Sequence, residues 1–244
     1  DGFLDAFLGG CFAGITGTAI TNALLHNNGD GRFAVVTNSV LNLRNHLVNN
    51  LCAEDYDGDG AVDLVLIRTT GSLATAFYRN DGQGVFAEAT PEPIRSEVYY
   101  AMYLTWADFD NDGDLDAIFG GYDSQPYGLD QDHFYINNRD GTFSSWAGQP
   151  SSFDGTLPAG WGVAEGWGDF DNDGYLDWFT TAPSTGRLWR NLGNGSFERV
   201  NCGSPVQDST YNANQVCWVD FNNDGFLDLF EPNLGFPPGS GVKD

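Results

Sequence analysis

The pattern Asp-x-Asp-x-Asp-Gly-x-x-Asp constrains this chain most, because it returns at a near-constant interval. Asp55, Asp57, Asp59, Gly60 and Asp63 spell it once, and Asp108, Asp110, Asp112, Gly113 and Asp116 spell it again. Asp169, Asp171, Asp173, Gly174 and Asp177 form a third copy. Asp220, Asn222, Asp224, Gly225 and Asp228 form a fourth, with one Asn. The chain also opens on a back half: Asp1-Gly2-Phe3-Leu4-Asp5 matches Asp224–Asp228 residue for residue. The closing Asp residues fall at 5, 63, 116, 177 and 228, which sets the period at 51 to 61 residues. Repeats of about this length stack small units that cannot bury their apolar face alone.

A second motif follows every copy except the last. It reads apolar pair, then Asn, then one or two Gly, then an aromatic. Its Asn residues are Asn28, Asn80, Asn138 and Asn191, and its aromatics are Phe33, Phe86, Phe143 and Phe197. Asn and Gly supply the positive φ that tight hairpin turns require. Each repeat therefore holds four short strands. The first runs into the Asp loop and the second leaves it, as at Tyr103–Asp108 and Leu115–Phe119. The third precedes the Asn, as at His133–Ile136, and the fourth starts at the aromatic, as at Phe197–Val200. The first two strands are apolar on both faces and are expected to be the buried ones. No sustained helical period is present, so helix content is expected to be low.

The expected fold is all-β, a β-propeller of four-stranded blades. Residues 1–36 hold strands two to four of one blade. Residues 47–90, 101–148 and 162–200 are three whole blades, and 213–231 hold the first two strands of a fifth. No linker with a composition shift interrupts the chain, so residues 1–244 are expected to form one domain. A chain starting inside a motif is expected to be a piece of a larger propeller. The insertions 120–132 and 144–161 are the expected partner-binding loops.

Alternate carboxylates converge on one point when the backbone curls tightly, and an all-oxygen set selects a hard cation. Ca²⁺ suits such a set better than Mg²⁺, which keeps waters and a strict octahedron. The residue after the Gly can add its backbone carbonyl: Ala61, Asp114, Tyr175 and Phe226 in turn. An EF-hand begins the same way but needs a Glu at position 12 between helices. Position 12 here is Leu66, Phe119, Thr180 and Glu231, and the flanks read as strands. Four Ca²⁺ sites are expected, each closing at its ninth residue. Asp1 and Asp5 would make a fifth only if a further segment or chain supplied the front half. The expected role of the metal is structural, because its removal would leave several carboxylates facing one another.

The formal net charge of −24 agrees with bound cations, since the motif copies hold half of the 34 acidic residues. That charge argues against nucleic acid or an anionic membrane as partner. At 41% hydrophobic and 14% aromatic, the chain is too apolar for a disordered acidic tail. No apolar run is long enough to span a bilayer. Cys11, Cys52, Cys202 and Cys217 lack the spacing of a zinc site. They allow two disulfides, of which Cys202 with Cys217 closes the shortest loop, or free thiols.

The combined motifs resemble the FG-GAP/VCBS repeats of integrin-α-type β-propellers over nearly the whole chain. That resemblance implies Ca²⁺ at the Asp loops, held by Asp55, Asp57, Asp59, Asp63 and the matching residues of the other copies. It implies an extracellular or cell-surface protein that binds a protein or glycan partner. The alternatives are a lectin-like sugar-binding propeller, or the propeller part of a secreted carbohydrate-active enzyme such as a polysaccharide lyase. Such propellers usually close with seven blades, more than this chain holds, so self-assembly through the partial blades is a further expectation. No nucleophile, zincin or phosphate-loop motif marks a catalytic centre. His26, His46 and His133 share no spacing and read as structural. Trp106, Trp167 and Trp218 sit two residues before their Asp loops and are expected in the core. Trp146, Trp161, Tyr99, Tyr100, Tyr122 and Tyr127 fall outside the repeat and are candidates for a ligand surface. Asn194-Gly195-Ser196 is a glycosylation sequon in an expected exposed turn.

Overall fold

A computed structural model describes residues 2–9, 22–37, 39–41, 48–68, 75–97, 101–121, 133–146, 165–180, 186–201 and 216–230. Their structure is all-β, built of antiparallel sheets that each span one repeat. The first sheet has three strands, β1 (Ala6–Leu8), β2 (Ala23–Asn27) and β3 (Phe33–Val35). The second has four, β4 (Val48–Glu54), β5 (Asp63–Arg68), β6 (Thr75–Asn80) and β7 (Phe86–Glu88). A single helical turn, α1 (Ile94–Glu97), follows. The third sheet comprises β8 (Ala101–Ala107), β9 (Asp116–Gly121), β10 (His133–Asn137) and β11 (Phe143–Ser145). The fourth comprises β12 (Glu165–Gly168), β13 (Asp177–Thr180), β14 (Arg187–Asn191) and β15 (Phe197–Val200). A two-stranded sheet, β16 (Cys217–Val219) and β17 (Asp228–Phe230), ends the described residues. In every sheet the strands lie in sequence order, the meander of a propeller blade.

Each Asp loop joins the first and second strands of its blade, so the closing Asp is the first residue of the second strand. The Asn–Gly hairpin joins the third and fourth. Register fixes this: Asn80 pairs with Phe86, and Asn191 with Phe197. The first Asn of each doublet is therefore the equivalent residue, Asn27 and Asn137, not Asn28 and Asn138.

The most buried strands are the second and third, not the first and second as expected. All six residues of β5 are buried, and so are Thr75–Tyr78 of β6. β13 is wholly buried, whereas Leu51 and Cys52 of β4 are only half-buried. The two middle strands have sheet neighbours on both edges as well as packing on both faces. The first strand is an edge, so apolar sequence alone does not bury it.

The chain divides into two compact units, Asp1–Leu104 with Asn137–Ser144, and Thr105–Ile136 with Ser145–Asp244. The first centres on Leu24, Leu41, Val48, Leu64, Leu66, Ala76 and Tyr78. The second has an aromatic core of Phe109, Phe134, Trp146, Trp178 and Trp189. Trp167 stacks on Trp178 with centroids 6.0 Å apart. Fully burying one such ring contributes roughly 1.5–3 kcal/mol. Gly168 allows β16 to approach: a Cβ there would lie 2.8 Å from Cγ of Trp218. Trp167 and Trp218 thus pack as the repeat position required. Among the described residues no helix is long and apolar enough to cross a membrane.

Candidate metal centres

The Asp loops fold through short-range bonds from side chain to backbone. Oδ1 of Asp55 accepts from the N–H of Asp59 at 3.1 Å, and its Oδ2 from the N–H of Gly60 at 2.8 Å. Oδ1 of Asp59 accepts from the N–H of Ala61 at 2.9 Å. The same three bonds recur in the Asp108, Asp169 and Asp220 loops. The fourth residue of each loop is left-handed: Gly58 at φ 72°, Asn111 at 61°, Asn172 at 60° and Asn223 at 60°. Gly and Asn are the residues that enter this region most readily. That position carries no ligand, and the pattern of Asp residues passes over it. Its restriction to Gly or Asn was the available signal.

The curl gathers the first, third and ninth carboxylates. Asp55 with Asp57 and Asp63, Asp108 with Asp110 and Asp116, and Asp169 with Asp171 and Asp177 each bring three oxygens within 4.8 Å of one another. The ninth residue is buried and anchored by the third strand and, at Asp177, also by the second residue of its own loop. Asp63 accepts from the N–H of Asn80 at 2.7 Å. Asp177 accepts from the N–H groups of Asn191 at 2.8 Å and Phe170 at 3.0 Å. Burial, opposed in part by these bonds, pushes Asp63 and Asp177 up to about 6. Burial and the neighbouring Asp112 also raise Asp110. Oδ2 of Asp63 and Oδ1 of Asp171 are buried with no hydrogen-bond donor in reach. Orphaned carboxylate oxygens beside two further carboxylates fit a hard divalent cation, which would neutralise them and take their lone pairs.

The fifth residues, Asp59, Asp112 and Asp173, lie outside these triads. Their Oδ1 atoms are spent on the N–H of the seventh residue. At Ala61, Asp114, Tyr175 and Phe226 it is this N–H whose bond the structure defines. In the fourth loop the third residue is an amide, and Asn222 Nδ2 donates to Asp224 at 3.1 Å. Asp220, Asn222, Asp224 and Asp228 keep the loop shape without a three-carboxylate cluster. Asp5 accepts from the N–H of Asn27 at 2.8 Å and lies 3.2 Å from Nδ1 of His26. Asp1 lies outside the described residues.

Two groups on the third strand complete the picture, and sequence reasoning missed both. Arg79 bonds to Asp57 through Nε and to Asp59 through Nη2, the latter at 2.7 Å. Arg190 takes the same place, its Nε in an ion pair 2.7 Å from Asp171 and its Nη2 donating to Asp173 at 2.9 Å. The next residue is the hairpin Asn. Nδ2 of Asn191 donates to the Leu176 carbonyl of its own blade at 3.1 Å and to the Phe109 carbonyl of the preceding blade at 2.7 Å. Nδ2 of Asn137 likewise reaches the Tyr56 carbonyl at 2.8 Å. This Asn latches the second residue of the preceding blade's Asp loop.

Trp146 is not a surface residue. It is 8% exposed and packs on Phe109, Phe134 and Phe197, while its N–H extends the β10–β11 ladder to the Phe134 carbonyl at 2.9 Å. His133 stacks on Tyr135, a structural contact. Asn194 lies in the exposed β14–β15 turn, where Oδ1 accepts from the N–H of Ser196 at 3.1 Å. Cys52 and Cys217 carry thiols rather than disulfides, and the Cys52 Sγ lies 3.5 Å from the Leu104 carbonyl oxygen. Cys11, Cys202, His46, Tyr99, Tyr100, Tyr122, Tyr127 and Trp161 lie outside the described residues.

Residues 55–119 and 169–231, about half of the chain, match the family model of the FG-GAP-like repeat. A lectin of Agrocybe aegerita, described by its specific recognition of non-reducing terminal N-acetylglucosamine, is similar in fold, with a TM-score of 0.51 at 20% identity. The match covers 79% of this chain and 49% of the lectin chain, so the chain spans about half of that protein. The Tc holotoxin pore of Photorhabdus luminescens matches at a TM-score of 0.43 and 16% identity, over 87% of this chain and 10% of that one. No curated protein matches.

Proposed function

We propose that this chain, which belongs to the FG-GAP-like repeat family, is a Ca²⁺-stabilised β-propeller binding module of a secreted or cell-surface protein. The observation that carries the metal is the carboxylate triad at loop positions one, three and nine, with its buried, donorless oxygens at Asp63 and Asp171. Bound Ca²⁺ would supply charge neutralisation at Asp55, Asp57, Asp63 and their counterparts. The blades then serve as a rigid platform, and the partner is a protein or glycan rather than an acidic polymer. Calorimetric titration of chelator-stripped protein tests the metal: saturable Ca²⁺ binding with a stoichiometry of several ions per chain is expected. Heat indistinguishable from dilution would rule it out.

A lectin activity is the second reading, favoured by the shared fold with the Agrocybe aegerita lectin. A glycan array that includes terminal N-acetylglucosamine tests it. Binding to one sugar class supports it, and silence across all classes leaves a protein partner as the reading.

A further inference from the structure

The arginines of the third strand hold oxygens that the loops' own backbone leaves over. In the loop 55–63, the N–H of Asp59 goes to Oδ1 of Asp57 at 3.2 Å and that of Ala61 to Oδ1 of Asp59 at 2.9 Å. The second oxygens of both carboxylates go to Arg79, through Nε and Nη2. In the loop 169–177, Nε and Nη2 of Arg190 face Oδ2 of Asp171 and Oδ2 of Asp173. One guanidinium thus spans the third and fifth carboxylates with two adjacent nitrogens, a planar fork matched to paired oxygens.

A carboxylate triad offers three oxygens, whereas Ca²⁺ takes about six to eight. The oxygens of Asp57 and Asp59 that Arg79 holds are close at hand for the rest. Arginine and metal therefore draw on the same lone pairs. They also repel each other: a unit charge about 5 Å from a divalent ion weakens its binding roughly tenfold even at the dielectric of water. The arginines have room to yield. The side chains of Arg79 and Arg190 are 51% and 41% exposed, against 9% for Asp57. The clamp is not what shapes a loop. Arg79 and Arg190 directly precede the hairpin residues Asn80 and Asn191, and Ile136 takes that place before Asn137, packed against the aromatic core. The loop 108–116 nevertheless makes the same backbone bonds and gathers the same triad.

We propose that Arg79 and Arg190 are resident counter-cations that yield to Ca²⁺, and that they set the affinity of their own loops below that of the loop 108–116. In the metal-free chain each guanidinium offsets the repulsion between the third and fifth carboxylates and keeps the loop curled. When Ca²⁺ is bound, Arg79 gives up Asp57 and Asp59, Arg190 gives up Asp171 and Asp173, and both turn toward solvent. The chain then fills in two steps, the loop beside Ile136 first. This inference rests on the proposed Ca²⁺ function and adds to it an order of filling.

Three amides report the loops separately, because Gly60, Gly113 and Gly174 each donate to the first Asp of their own loop. Ca²⁺ titration of the chelator-stripped, isotope-labelled chain, followed by NMR at these amides, should give a midpoint for Gly113 roughly tenfold below those for Gly60 and Gly174. Arg79→Gln keeps a polar side chain and removes the charge. It should lower the Gly60 midpoint roughly tenfold and leave that of Gly174 unmoved, and Arg190→Gln should do the converse. An arginine that only braced its loop would give the opposite sign. Midpoints that the Gln variants raise or leave unchanged overturn the proposal alone, as does a Gly113 midpoint no lower than the other two. No Ca²⁺-dependent shift at any of the three glycines, in the parent chain or either variant, fails the Ca²⁺ reading itself.

Discussion

The loops 169–177 and 220–228 have nearly the same sequence and different surroundings. Their front halves are the same. Asp173 and Gly174 donate to Asp169 at 3.0 and 2.9 Å, and Asp224 and Gly225 to Asp220 at 3.1 and 2.9 Å. Their closing halves differ. Asp177 is buried and held by Asn191 and Phe170, whereas Asp228 is only half-buried and takes the N–H of Phe221 at 3.3 Å. Phe221 itself is 73% exposed. The curl is therefore encoded within nine residues. The anchoring of the closing carboxylate comes from the third strand, which carries Asn191 to Asp177 from outside the loop.

Metal removal tests the comparison most severely. Chelation should lower the melting temperature by about 10 °C or more, with Ca²⁺ restoring it. A melt unmoved by either treatment would deny the triads their role. Next comes Asp177→Ala, which strands two backbone donors and should cost about 3 kcal/mol in urea denaturation. Asp228→Ala should cost about 1 kcal/mol or less, so equal losses would erase the distinction between the loops. Asn191→Ala frees the Phe109 and Leu176 carbonyls and should cost about 2–3 kcal/mol, measured the same way. A loss within error would show that the latch is ornamental.

Protons offer a milder probe. Without metal, Asp63 and Asp177 sit near 6 in the folded state, above the ordinary value of 3.8. The folded state then binds more protons than the unfolded one between about pH 4 and pH 6. Stability of the metal-free chain should fall as pH rises through that window, by up to a few kcal/mol for the pair of carboxylates. With Ca²⁺ the trend should reverse, because protons then compete with the ion. A profile identical in chelator and Ca²⁺ would contradict the assignment. A local steric probe is Gly193→Ala. Gly193 has φ 67°, and a Cβ there would lie 2.4 Å from the Tyr175 ring. Strain of about 1–2 kcal/mol is expected, part of it relieved if Tyr175 swings away.

What could be read from the sequence was what is local. The strand–loop–strand order, the hairpins and the convergence of Asp55 with Asp57 follow from neighbours within about ten residues. The left-handed fourth residue was also legible, as Gly58, Asn111, Asn172 and Asn223, but it hid behind the acidic pattern. The Arg79 clamp was not legible, since it reaches Asp57 across two strands. Trp146 misled for the same reason: its position outside the repeat says nothing about the cluster of Phe109, Phe134 and Phe197 that receives it. The burial of third strands over first strands depends on sheet order, which composition does not carry.

The Asn latches also bear on how such a chain folds. Asn137 and Asn191 close over 81 and 82 residues of chain. Contacts this distant demand that a large loop be ordered before any stabilisation is returned, which slows folding. A blade's Asp loop is locked only after the third strand of the following blade has formed. Assembly should therefore proceed as a zipper, each unit waiting on its successor, with the loop nearest the growing end always the least protected. Hydrogen exchange would show this as stronger amide protection in the loops 55–63 and 108–116, which Asn137 and Asn191 latch, than in the loop 220–228.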